Sequence, residues 1–212
     1  MKKVLLTAAA ASLLSTSAFA TENAFFVKAE GGMSRFVDVK YSAKVASAPT
    51  SAKFKAKNSG FVGVGVGYFL MENVRFDLTY NHYFKPKYDF EFFGVKSGKV
   101  ETNVDSLLIN GFVDVFESGE FKAFVGAGFG VSKVGAKIKL NNNVSYKLKN
   151  KTKASFAAYI GGSYAISEGV DLDLTYSFKY LGKSRSFGNS FNSFEAPKLA
   201  SHNIGLGVRF EI

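Results

Sequence analysis

Few residues in this chain are equipped for chemistry. There are two histidines, His82 and His202, and no cysteine among 212 residues. Hydrolysis needs a base held near a nucleophile or an activated water, and only these two rings offer one, with Asp89 or a loop serine as a partner. Each falls near the end of an alternating segment, on its apolar face. That places both at a rim and leaves catalysis as the weaker reading, so no catalytic residue is assigned. Without thiols there are no disulfides and no thiolate metal site, and no metal or cofactor set is expected. Gly63-x-Gly65-x-Gly67 and Gly126-x-Gly128-x-Gly130 lie inside extended segments with no helix after them, so they are not phosphate loops.

The remaining chemistry is charge, with 27 Lys+Arg against 17 Asp+Glu, and it falls into two groups. Lys53, Lys55, Lys57, Lys137, Lys139, Lys147, Lys149, Lys151, Lys153, Lys183 and Arg185 stand in segments that read as loops. The four segments 35–58, 85–103, 133–153 and 179–202 together hold 21 basic residues and five acids, and 133–153 holds seven lysines and no acid. A field of that sign attracts anions. The second group, Lys28, Glu30, Arg75, Asp77, Asp171, Asp173, Arg209 and Glu211, with Asp114 and Lys122, has both signs and the parity of an interior face. Buried charges persist only when paired or hydrated, so this group predicts a salt-bridged plug, with a small ion pore as the alternative.

The elements that position these groups are strands. His202 to Ile212 alternates without a slip: Ile204, Leu206, Val208, Phe210 and Ile212 share one face, Asn203, Gly205, Gly207, Arg209 and Glu211 the other. Glycines and charges cannot build an apolar core, so the apolar face points outward, into lipid. The same pattern gives strands at 25–34, 60–70, 74–84, 104–116, 121–133, 154–166 and 170–180. On 104–116 the phase is ambiguous; Leu107, Ile109, Val113 and Val115 are placed outward because Ser106, Asn110 and Asp114 share the other face. Connections alternate long and short. A hairpin also repeats at an offset of 96: Gly65, Tyr68, Glu72, Val74, Asp77, Leu78, Thr79 and Tyr80 recur as Gly161, Tyr164, Glu168, Val170, Asp173, Leu174, Thr175 and Tyr176. The fold class is therefore all-β: an eight-stranded antiparallel up-and-down transmembrane β-barrel.

Met1-Lys2-Lys3, the apolar run Val4–Leu14 and Ala18-Phe19-Ala20 read as a cleaved signal peptide over 1–20. The barrel domain is then 21–212, exported to the cell outer membrane with its long loops outside.

The chain resembles the small eight-stranded outer-membrane barrels of the OmpA-like/OmpX type. The residues carrying this are Phe61 to Tyr68, Leu107 to Asp114, Phe124 to Gly130 and Tyr164 to Val170. It is similar in particular to the rickettsial surface adhesins, in Glu72-Asn73-Val74-Arg75, Asn150-Lys151-Thr152-Lys153, Gly182-Lys183-Ser184 and the ending from Ser201 to Phe210. The resemblance implies adhesion to host cells and binding of serum proteins such as vitronectin. No residue role transfers by motif beyond the basic segment ending at Lys153. The expected partners are outer-membrane lipid and acidic host-surface or serum proteins, not nucleic acid, and the expected state is a monomer. The alternatives are a structural barrel whose loops bind lipopolysaccharide phosphates and, more remotely, a lipid-modifying or proteolytic barrel.

Overall fold

The computed structural model describes residues 24–37, 39–45, 48–92, 95–140, 145–183, 187–189, 192–194 and 198–212, and side-chain surroundings within 24–37, 56–86, 101–135, 151–182 and 199–212. The signal-peptide reading of 1–20 lies outside them. Thirteen strands are present among these residues. Eight close a ring: β1 (Phe25–Phe36), β4 (Asn58–Met71), β5 (Val74–Tyr83), β7 (Val95–Ser118), β8 (Phe121–Leu140), β9 (Ser145–Ser167), β10 (Val170–Lys183) and β13 (Lys198–Glu211). Each pairs antiparallel with its neighbours, and β1 pairs with β13 from Phe26↔Glu211 to Phe36↔Ser201, so the wall has no free edge.

Three tight turns join β4 to β5, β7 to β8 and β9 to β10 at one end. Gly119 and Gly169 take φ of 58° and 68° there, a left-handed conformation that glycine adopts without strain. The wall's outward face is apolar as expected: Val64, Leu78, Ile109, Phe129, Ile160, Leu174 and Ile204 are all exposed, Phe129 by 60%. On β1 the outward apolar run from Phe25 to Met33 spans nine residues, about what a tilted strand needs to cross a bilayer. The ambiguous strand takes the proposed phase: Leu107, Ile109, Val113 and Val115 face out, while Ser106 and Asn110 are buried.

At the other end the segments read as long loops are largely strand. β7, β8 and β9 run to 24, 20 and 23 residues, well past the wall. β2 (Val39–Val45), β3 (Ala48–Ala56), β6 (Lys87–Phe92), β11 (Phe187–Asn189) and β12 (Asn192–Phe194) extend the sheet from the upper part of β7, in the order β7-β6-β3-β2-β12-β11. We call this extension the crown. Its backbone amides need partners just as the wall's do, and a ladder supplies them. The alternation of Tyr88-Asp89-Phe90-Glu91-Phe92 signals strand running beyond the membrane, and β6 falls there; the other crown strands lie in segments rich in Lys, Ser, Ala or Asn that read as loops.

The interior is layered, and it is less uniformly small and polar than the sequence suggested. Phe26, Phe69, Phe112 and Phe124 are buried towards the turn end; Phe36, Phe61, Tyr83, Val104 and Leu181 form a buried cluster towards the crown. Inward glycines make room for these rings: a Cβ on Gly126 would collide with the Phe112 ring, and one on Gly161 with that of Phe124. Gly126→Val is therefore expected to destabilise the barrel by about 1–3 kcal/mol through overpacking, while Ala127→Val, on the exposed face, stays near neutral. Urea unfolding of the two variants in lipid vesicles measures the difference.

Candidate functional site

Between the two aromatic layers lies a connected charge network. Lys28 Nζ stands 2.6 Å from Asp77 and 4.0 Å from Glu30. Asp77 also accepts from Thr79 Oγ1 at 2.7 Å and from Asn110 Nδ2 at 2.6 Å, and Tyr159 Oη donates to Asn110 Oδ1 at 2.8 Å. Asn81 Nδ2 donates to Glu30 at 2.6 Å, while the Asn81 carbonyl oxygen accepts from Lys179 Nζ. Nearer the turns, Arg75 pairs with Asp114 at 2.5 Å, and Arg209 with Asp171 at 2.7 Å and Asp173 at 3.5 Å. Both guanidiniums lie over rings: Arg75 over Phe124 at 4.5 Å, Arg209 over Phe69 at 5.4 Å. The structure thus brings seven of the eight named interior residues into ion pairs. Glu211 sits half-buried at the turn end, opposite Phe26 on β1.

Lys179 was grouped with the external lysines by sequence position. It is instead fully buried in the barrel, over the rings of Phe61 and Tyr159. The signal lay in parity: Lys179 follows Asp171, Asp173, Thr175 and Ser177 on the inward face of β10.

The other basic residues occupy the crown end. Lys53 and Lys55 on β3 stand in register with Glu91 and Asp89 on β6. Lys137 on β8 lies between Glu101 on β7 and Lys147 on β9; Lys139 lies between Lys99 and Ser145. Lys149 falls at the irregularity between the Val134↔Lys151 and Ala136↔Leu148 pairings. Lys57 and Lys151 are exposed and Lys153 half-buried. Lys183 ends β10 opposite Lys198. The side chains of Lys53, Lys55, Lys137, Lys139, Lys147, Lys149 and Lys183, and Arg185 altogether, lie outside the described residues. Arg185 apart, the backbone register alone still gathers these positions from three connections at one end of the barrel.

The histidines are where the apolar-face parity placed them, outward at the crown-side rim, but on separate sectors of the wall. His82 Nδ1 bonds Asp105 at 2.7 Å, and Tyr80 Oη donates to the same oxygen at 2.8 Å. The sequence offered Asp89 as the carboxylate partner; the one among the described residues is Asp105, and the Asp89 side chain lies outside them. His202 Nδ1 lies 2.7 Å from Tyr176 Oη. Among the described residues no serine or threonine hydroxyl bonds either ring, and no cluster of three or more His, Asp or Glu has metal-binding geometry.

The family model for the outer membrane protein beta-barrel domain matches residues 6–210. The chain belongs to that family. It is 32% identical to a Rickettsia prowazekii protein and to a Rickettsia massiliae protein, each named "Putative adhesin", with both chains covered over their full length. Among solved structures it is similar to the outer membrane protein OprG of Pseudomonas aeruginosa, at a TM-score of 0.60 and 13% identity, covering 91% of this chain and 99% of that one. It is also similar to Neisserial surface protein A, at 0.53 and 19%, covering 89% and 97%. These likenesses concern the fold. As an outer membrane barrel of this family, the protein resides in the outer membrane, with its turn end periplasmic and its crown external.

Two measurements test the interior. Asp77→Ala strands Lys28 and removes the acceptor of Asn110 and Thr79, so it is expected to cost about 3–5 kcal/mol, as breaking a buried pair does. Urea titration in lipid vesicles reads this out. In planar bilayers the intact barrel is expected to show no stable single-channel steps, because the network is capped by packed rings on both sides.

Proposed function

We propose that this outer membrane barrel is a surface adhesin whose basic crown binds the acidic face of a host-surface or serum protein. The observation that carries the reading is the placement of 133–153. The seven lysines of this acid-free stretch stand on 133–140 and 145–153, the ends of β8 and β9 that project beyond the wall. These are paired strands, so the backbone positions of the lysines are held at fixed spacing. Ordered positive charge steers an acidic partner and fixes its orientation. The names of the rickettsial relatives favour the same role, and vitronectin is the partner that the family resemblance supplies.

A second reading is a structural barrel whose crown lysines pair with lipopolysaccharide phosphates. Salt and mutation separate the two. Charge reversal at Lys137, Lys139, Lys147 and Lys149 is expected to weaken binding of host-cell protein or vitronectin by roughly tenfold or more at physiological ionic strength, chiefly through the association rate. The barrel itself should stay folded. Surface-plasmon measurements on the refolded protein report it; unchanged host-protein binding would leave only the lipid role.

A further inference from the structure

The external rim of the wall differs between its two halves. On one half, Val62, His82, Asp105, Lys133 and Thr152 stand in one cross-strand row over β4, β5, β7, β8 and β9. Charge there is answered within the protein: Asp105 takes His82 and Tyr80, and Lys133 stands opposite it. On the other half the row is Asn58, Arg35, His202, Phe178 and Ala158, over β4, β1, β13, β10 and β9. It contains no acid. Arg35 is exposed and has no ion-pair partner among the described residues. His202 directly opposes it, with its ring 5.1 Å from that of Phe178. The Tyr176 hydroxyl engages Nδ1 at 2.7 Å, so Nε2 is the ring nitrogen with no hydrogen-bond partner among the described residues, and when protonated it is a donor.

Just below this pair the wall is apolar, with Met33 and Ile204 exposed. It also has one uncovered position. Four outward wall glycines invite comparison. At Gly60, Gly111 and Gly162 an added Cβ would meet the rings of Phe84, Phe76 and Phe121 at 3.1, 3.0 and 2.8 Å; at Gly31 it would meet only the Phe61 carbonyl at 3.6 Å and a Val62 methyl at 3.8 Å. Aromatic cover is the usual remedy for a glycine in a sheet, and Gly31 lacks it. Gly31 lies on the same strand as Arg35, four residues or ~13 Å away.

We propose that Arg35 and His202 bind the phosphate of an anionic membrane lipid, with an acyl chain lying over Gly31. The guanidinium offers two parallel N–H donors to phosphate oxygens and the imidazole a third. The apolar wall below takes the tail. The site depends on the membrane location of the barrel and not on the adhesin reading.

The test uses the refolded barrel in phosphatidylcholine nanodiscs doped with phosphatidic acid, with retained lipid counted by native mass spectrometry. Wild type is expected to keep one phosphatidic acid in preference to phosphatidylcholine. The Arg35→Gln/His202→Gln double variant should lower that retention roughly tenfold, the loss of about one charge-assisted bond, and Gly31→Leu should lower it without touching the donors. Should the double variant fail to fold, His202→Phe keeps the ring and removes the donor. His82→Gln, in the opposite row, should leave retention unchanged, as should excess inorganic phosphate. Unchanged retention in the Arg35 and His202 variants overturns the proposal, and so does an equal loss in His82→Gln. Displacement by inorganic phosphate would make this a free-anion site, and barrel dimers in place of lipid adducts would assign the face to a second copy; either overturns the lipid assignment. Host-protein binding, measured on the same preparations, should not change, so failure here and failure of the adhesin reading remain distinct.

Discussion

Hydrocarbon offers a peptide group no hydrogen-bond partner, so each N–H and C=O within the membrane has to be answered by a neighbouring strand. That requirement makes the ladder between β1 and β13 the closure on which the rest depends. Eleven registered pairs, from Phe26↔Glu211 to Phe36↔Ser201, join the first wall strand to the last. Eight strands then enclose a space narrow enough for side chains to fill. The glycines on the inward faces of β4, β8 and β9 follow from this: where Asn110, Asn81 or a phenylalanine reaches across, the strand it approaches has no room for a Cβ.

Closure also decides how charge is distributed. A cation cannot face the tails, so basic residues in the wall have to turn inward, where they need a carboxylate. Lys28, Arg75 and Arg209 each have one within 2.7 Å. Lys179 instead donates to an amide oxygen that is itself held by Glu30 through Asn81. Interior acids (Glu30, Asp77, Asp114, Asp171, Asp173 and Glu211) slightly outnumber interior bases (Lys28, Arg75, Lys122, Lys179 and Arg209), so the chain's net charge of +10 resides outside the barrel interior. The strong field of the crown is a consequence of a wall whose interior holds its bases against carboxylates.

The wall was legible because each strand meets two environments that differ sharply, and a period of two records the difference residue by residue. Even the ambiguous strand could be phased, since Ser106, Asn110 and Asp114 share one face. The interior was less legible. Phe61, Phe112 and Phe124 sit on the inward face beside glycines, and that assignment requires knowing which glycines oppose them across the ladder. Asp105 was not matched to His82 for the same reason: the pairing is 23 residues apart and follows from the register of β5 on β7. The crown was least legible. Lys53-Phe54-Lys55 and Lys137-Ile138-Lys139 alternate charge with an apolar residue, but only over a few positions beside runs of Ser, Ala or Asn, so the composition of these segments suggests loops.

A basic crown standing over a membrane has to contend with the anions of that membrane. Lipid phosphates lie at the height of the rim, below the ends of β8 and β9, and are far more concentrated there than any external partner. Lysines on long flexible loops would fold back onto them. Strands of 20 and 23 residues hold their backbones away from the surface, and a spacing of more than a Debye length, ~8 Å at physiological salt, screens the upper lysines from the phosphates beneath. A rim that takes its own lipid phosphate on Arg35 and His202 would neutralise the nearest anion locally. The same rigidity that extends the sheet beyond the wall would then keep the lysines of 133–153 available to an acidic surface approaching from outside.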